Sequence, residues 1–437
     1  MKIWIINHFL MIRASYWFVP TVIMTSIAAL SAFTLFLDHF YQGALPSWFI
    51  LNEGDPQGAR IFLSTVAGSM IGVAGVTFSI TIVSLSLASS QFGPRILKSF
   101  MRSKANQFVL GIFIATFLYC LVILQFVKGS TSGLFVPSIS TNVALFLTLL
   151  CLKSLIYFIH HVANSIQIDT IVTNVVSELR LATDRFCSKE YKIQEKENGT
   201  QTTVDWENIK AIKSPKSGYL QAVDYDELLR IAANKNLIVN VLNRAGDFLQ
   251  EGSPIIKIYQ QNQEDELERE VLKFILIGLM RTEQQDLEYS IRQLVEIATR
   301  ALSPGINDSF TAITCIDWLG AAINRIAIKG MPPRYLYDDQ NKLRIITNET
   351  TFEGVCATAF NQIRQAAAKD ISVSLRLLEV LANIGNHVQK EVIAQNLLEH
   401  AKRVRFGIAP SLLDGPDGEA IKERYEAVEM AVKKVAP

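Results

Sequence analysis

From Ile61 to Ser90 the chain runs IFLSTVAGSMIGVAGVTFSITIVSLSLASS, with no charge between Arg60 and Arg95. An uncharged apolar run of this length reads as a membrane-spanning helix, for which about 20 residues suffice. The run also holds Ser64, Thr65, Ser69, Thr77, Ser79, Thr81, Ser84, Ser86, Ser89 and Ser90. Lipid has no use for so many hydroxyls, so this helix is expected to face other helices or water.

Three further stretches reach spanning length: Trp17–Leu37, Gln107–Val127 and about Phe135–Phe158. They lie in the first 160 residues of 437, and they explain a mean hydropathy of +0.24 in a chain whose remainder has soluble composition. The loop 91–106 carries Arg95, Lys98, Arg102 and Lys104 and no acid, whereas 38–60 carries Asp38, Glu53 and Asp55 against Arg60. The positive-inside rule places both termini and the basic loop in the cytoplasm of a multi-pass inner (plasma) membrane protein. A net charge of +1 gives no field for nucleic acid. The five cysteines form no CxxC pair and the six histidines no ligand cluster, so neither a metal site nor a disulfide framework is expected.

The expected fold is an α-helical membrane domain of four transmembrane helices (1–160) followed by a cytoplasmic α+β region. A helical linker and loop (161–207) leads into a small β domain (208–260) and a mainly helical domain (261–437). In 208–260, Ser217-Gly218-Tyr219-Leu220 and Ala245-Gly246-Asp247-Phe248-Leu249-Gln250-Glu251-Gly252-Ser253-Pro254 resemble the barrel-sandwich hybrid of biotinyl and lipoyl carriers and efflux adaptors. The carrier lysine tripeptide is missing, and a helix at Tyr225–Asn234 occupies its place, so the resemblance implies a fold and no covalent cofactor. Beyond it, amphipathic helices are expected over Glu264–Arg281 and Asp286–Leu302, then Ser309–Ile326, a strand at Leu343–Ile346, and helices at Phe352–Ala368, Val373–Ile384 and Asn386–Val404. The end, from Asp414, is charged and reads as loosely held.

Two strings are long and distinctive: Ser84 to Arg102, SLSLASSQFGPRILKSFMR, with Asn106-Gln107 after it, and Ala301 to Asp308, ALSPGIND, with Phe310-Thr311-Ala312 after it. With four N-terminal spans they resemble the bacterial integral membrane family DUF2254, over nearly the whole chain. Ser309 stands where the family pattern would place proline, a substitution that a helix start tolerates. The resemblance implies the architecture and brings no reaction, cofactor or active site.

Function is therefore read from residues. Thr77, Thr81 and Ser84 follow i, i+4, i+7 spacing, with Ala88 below, and are candidates to line a path for a small ion. Arg95, Lys98, Arg102 and Lys104 would favour anions at its cytoplasmic end. Gly68 and Gly72 form GxxxG, a helix-packing pattern, and packing alone would also explain the hydroxyls. This reading is a lipid-embedded homo-oligomer with channel-like or transport activity. The alternative is a membrane-anchored scaffold or sensor whose cytoplasmic domains bind a partner or ligand. An enzyme would have to use Asp286, Asp308 or Asp317 with Arg281 and Asn307. No HExxH, GxSxG or nucleotide-binding motif accompanies them, so no catalysis is expected. The loop Ser303, Pro304, Gly305, Asn307 and Asp308 reads as a joint: Pro and Gly stop one helix, and Asn307 or Asp308 caps the next.

Overall fold

A computed structural model describes residues 15–41, 55–93, 104–128, 135–187, 206, 209, 211–259 and 265–435. Contacts divide the chain into two units, Met1–Ile171 and Val172–Pro437. Arg95, Lys98 and Arg102 lie outside the described residues.

The first unit holds four long apolar helices, α1 (Phe18–Phe40), α2 (Pro56–Phe92), α3 (Lys104–Phe126) and α4 (Ser138–Ser165). α3 is the hub, packed by α1, α2 and α4. Its Val109, Phe113, Ala115, Tyr119, Cys120 and Ile123 are almost wholly buried. α2 is capped by Asp55, whose carboxylate accepts from Gln57 N and Gly58 N, with Pro56 at the first helical position. Its 37 residues rise about 55 Å, against a hydrocarbon core of about 30 Å. Arg60 donates to the Val127 carbonyl at 2.7 Å, which sets α2 antiparallel against the far end of α3.

Asp38, expected in a loop, instead lies within α1, where it is 7% exposed. It serves as the cap that α4 lacks in its own sequence, since Pro137 offers no side-chain acceptor. The Asp38 carboxylate accepts from Ile139 N at 2.7 Å, Ser140 N at 2.9 Å and the Ser140 hydroxyl. A carboxylate at a helix N-terminus meets both unpaired amides and the positive end of the helix dipole. Beside it the Tyr119 hydroxyl donates to Ser140 O and shares a hydrogen bond with Thr34, which joins α1, α3 and α4.

In the second unit, which takes up most of α5 (Ile168–Cys187), two sheets are combined with a helical layer. The strands are β1 (Ala211–Lys213), β2 (Gly218–Val223), β3 (Ile238–Val241), β4 (Phe248–Leu249), β5 (Pro254–Tyr259), β6 (Ile275–Gly278), β7 (Tyr335–Tyr337) and β8 (Leu343–Ile346). The orders are β1-β5-β3-β8-β7 and β4-β2-β6. β3 pairs with β8 in parallel, Val239 opposite Ile345, and β2 pairs with β6, so strands beyond residue 260 complete both sheets. The core gathers Leu220, Leu228, Leu237, Leu249 and Ile255, with α6 (Tyr225–Asn234) supplying Leu228.

Two expectations fail here. Glu264–Arg281 is not one helix: α7 (Asp265–Leu272) stops, and the run Ile275-Leu276-Ile277 becomes β6. Pairing with β2 overrides a helical pattern that ends in β-branched residues. Nor is the C-terminus loose. α13 (Pro416–Lys433) buries Ile421, Tyr425, Val428, Ala431 and Val432, and it packs on α11 (Ile371–Gly385) and α12 (Glu391–Gly407). The remaining helices are α8 (Leu287–Ala301), α9 (Ser309–Lys329) and α10 (Phe352–Ala366).

Among the described residues five helices are long and apolar enough to cross a membrane, one more than the sequence reading counts. The fifth is α9, the least apolar of them. Its Cys315, Ile316, Leu319, Ile323 and Ile326 are fully buried, and it packs on α8 and α11. Its charges are paired, Asp317 with Arg376 and Arg325 with Asp184. Length and composition alone do not separate such a core helix from a span.

Candidate functional site

α2 presents two opposite faces. Leu63, Val66, Met70, Ala74, Thr77, Thr81, Ser84 and Ala88 recur at helical spacing and are buried. The four residues expected to line a path are on this side: Thr77 and Ala88 are 2% exposed, Ser84 5% and Thr81 8%. Within the chain they are core, and the Thr81 hydroxyl donates to the Thr77 carbonyl. In the register set by Arg60 and Val127, Thr77 and Thr81 lie level with the start of α3, where Asn106 and Gln107 are also buried.

The opposite face carries Thr65, Gly68, Gly72, Gly75, Ser79 and Ser86, all exposed. A Cβ built at Gly68, Gly72 or Gly75 meets nothing within 4 Å. Gly68 and Gly72, expected to pack helices together, pack on nothing among the described residues. The hydroxyls here bond back along their own helix, Ser69 to Thr65 O and Ser79 to Gly75 O. Such bonds satisfy a hydroxyl without a partner helix. Lys104, the one described member of the basic group, is exposed at the start of α3.

The acids weighed for catalysis are held in structural roles. Asp308 caps α9, its carboxylate accepting from Thr311 N at 3.1 Å. Asn307 takes the left-handed conformation of the joint, φ +52°, and Asp308 N donates to Ala301 O. Asp286 caps α8 through Tyr289 N and pairs with Arg281 at 2.6 Å. The 15 residues of α8 separate Asp286 from Asp308 by about 20 Å, so the two carboxylates share no site.

Around Asp286 the β turn at Arg244–Asp247 meets the helical layer. Arg244 pairs with Glu288 at 3.0 Å, and Glu288 also accepts from the Thr350 hydroxyl at 2.8 Å. Gly246 turns there at φ +97°, where a Cβ would come within 2.4 Å of Asp286 Oδ2. Only glycine fits that contact and that dihedral. Burial pushes the Asp286 carboxyl up, while the Arg281 guanidinium pulls it down. Asn243 Oδ1 and Thr282 Oγ1, next in sequence to this cluster, are buried without hydrogen-bond partners among the described residues.

The sequence reading passed over Lys153. It is exposed on α4, inside a stretch counted as a span. Its signal was visible: a single cation in an otherwise uncharged run.

Comparison with known proteins agrees with this architecture. A family model described as "Predicted membrane protein (DUF2254)" matches residues 13–383. Uncharacterized proteins of Mycobacterium bovis and Mycobacterium tuberculosis are 31% identical over 362 residues, which cover 81% of this chain and 67% of theirs. No solved structure matches significantly. With a family model over residues 13–383 and relatives 31% identical over 81% of its length, the chain belongs to the DUF2254 family of predicted membrane proteins.

Proposed function

We propose that this protein is an oligomeric, channel-like membrane assembly in which α1 to α4 cross the bilayer and the outward face of α2 lines or closes a shared axis. The carrying observation is that face: a small and hydroxyl surface from Thr65 to Ser79, resumed at Ser86 beyond Ile82 and Val83, on which the Cβ positions of Gly68, Gly72 and Gly75 meet nothing among the described residues. Facing lipid, it would forgo the contacts that larger side chains make. Facing a second copy, it permits close backbone approach. The α2 apolar run of about 45 Å also exceeds the membrane, and even a 40° tilt leaves part of it outside. Ile82, Val83 and Leu87, near its end, are 48%, 58% and 50% exposed and need cover from other chains. The lining is thus reassigned from Thr77, Thr81, Ser84 and Ala88 to Thr65, Ser79, Ser86 and the glycines between. The permeant species is a small ion, with anion preference from Arg95, Lys98, Arg102 and Lys104. The protein acts without catalysis, in the inner membrane with both termini cytoplasmic.

The test is conductance of reconstituted protein in planar bilayers. Ser79→Leu should reduce current by dewetting the path, whereas Thr81→Leu should overpack the interior of the single chain and lower yield instead. Electrical silence together with monomeric protein would remove the channel reading. One observation favours the second reading, a scaffold or sensor: the ionic junction of Arg244, Arg281, Asp286 and Glu288, with two unpaired polar atoms beside it.

A further inference from the structure

We infer that α4 carries a binding site for an acidic phospholipid, centred on Lys153. The inference is independent of whether anything permeates. One exposed side of α4 runs Phe146, Leu149, Lys153, Tyr157, His160 and Asn164, at steps of three and four residues. Phe146 is 66% exposed, Leu149 57% and Tyr157 52%. Read along the helix, the stripe passes from apolar side chains, through a cation, to an amphipathic ring, and then to polar groups. That is the order in which a lipid presents acyl chain, phosphate and headgroup.

The depth of Lys153 follows from the α3–α4 pairing. Cys151 meets Thr116 at 3.3 Å and Ile112 O at 3.9 Å, so Lys153 lies beside the third turn of α3. Lys104, at the start of α3, is about 10 Å nearer the water. A lysine at that depth reaches the interface by extending its apolar stem and placing the ammonium among headgroups. Among the described residues Lys153 forms no ion pair, and no acid shares its stripe. The charge it requires must therefore come from outside, and the lipid phosphate is the anion present at that level.

The polar end is already ordered. Tyr157 stacks on His161 at 5.7 Å with the ring planes 9° apart, and Asn164 bonds His160 at 2.9 Å. Tyrosine at this position is favoured at a membrane interface. The Tyr157 hydroxyl and His160 sit one and two turns below Lys153, within reach of a glycerol headgroup.

The experiment is native mass spectrometry of the full chain titrated with phosphatidylglycerol in nanodiscs of phosphatidylcholine. The wild type should retain phosphatidylglycerol in preference to phosphatidylcholine. Lys153→Gln should weaken that retention about fivefold, the worth of one cation near an anionic surface. Lys153→Arg should restore it, and phosphatidylcholine retention should not change. Competition by inorganic phosphate or glycerol phosphate would assign the site to a free anion and overturn the proposal. So would equal retention by wild type and Lys153→Gln, or crosslinking between copies through Lys153→Cys, which would give this stripe to a second protomer.

Discussion

Asp308 and His400 show what single residues contribute in the second unit. Asp308 satisfies one free amide at the start of α9, at Thr311 N. Replacing such a cap by alanine costs about 1 kcal/mol. Asp308→Ala should lower the thermal midpoint modestly while leaving the assembled species, followed by size-exclusion chromatography, in place. His400 sits on α12 at 2% exposure, edge-on to Phe360, with Nε2 unpaired. Burial lowers its pKa from 6.5 to about 4, helped by Arg403 and Arg364 and opposed by Glu399. The unfolded chain takes up a proton near pH 6.5, and the folded one resists until about pH 4. Stability is thus complete above pH 6.5 and is lost as pH falls through that window, by roughly 3 kcal/mol from this group. Denaturant midpoints measured from pH 7 to pH 4 should fall for wild type, and less steeply for His400→Phe. Parallel slopes would remove His400 as the cause.

At the scale of elements, some features were legible in the residues and others were not, for physical reasons. The four N-terminal helices follow from apolar length, because backbone in lipid must bond to itself. The first was read as Trp17–Leu37 and is Phe18–Phe40; α6 was read with the observed ends. The strand Leu343–Ile346 also agrees. Periodicity found both faces of α2 but not which one turns inward. That choice depends on α3, whose own side chains decide what it covers. So Thr77, Thr81, Ser84 and Ala88 went inside, while Gly68 and Gly72 stayed out. β6 was missed because its strand character comes from pairing with β2, some fifty residues earlier. The Asp38 cap on α4 was missed for the same reason: the acid and the amides it serves are a hundred residues apart. The joint at Ser303–Asp308 was legible because capping is local, within three residues.

For the whole molecule, the side of the membrane can be tested directly. The proposed orientation, argued from the charge asymmetry between loops, has 91–106 in the cytoplasm. In intact cells an impermeant thiol reagent should label Glu53→Cys and leave Arg102→Cys untouched; the opposite pattern would invert the protein. The length of α2 carries a mechanical corollary. In the proposed spanning arrangement, a rod whose apolar part outlasts the hydrocarbon is accommodated by leaning or by thickening the bilayer around it, and the balance depends on how thick the bilayer is. Thinning the bilayer steepens the lean and swings the far end sideways; lengthening the acyl chains draws it upright. In the proposed spanning arrangement the helix would act as a caliper for the membrane, with stretch or chain length as the input and lateral movement of its protruding end as the output.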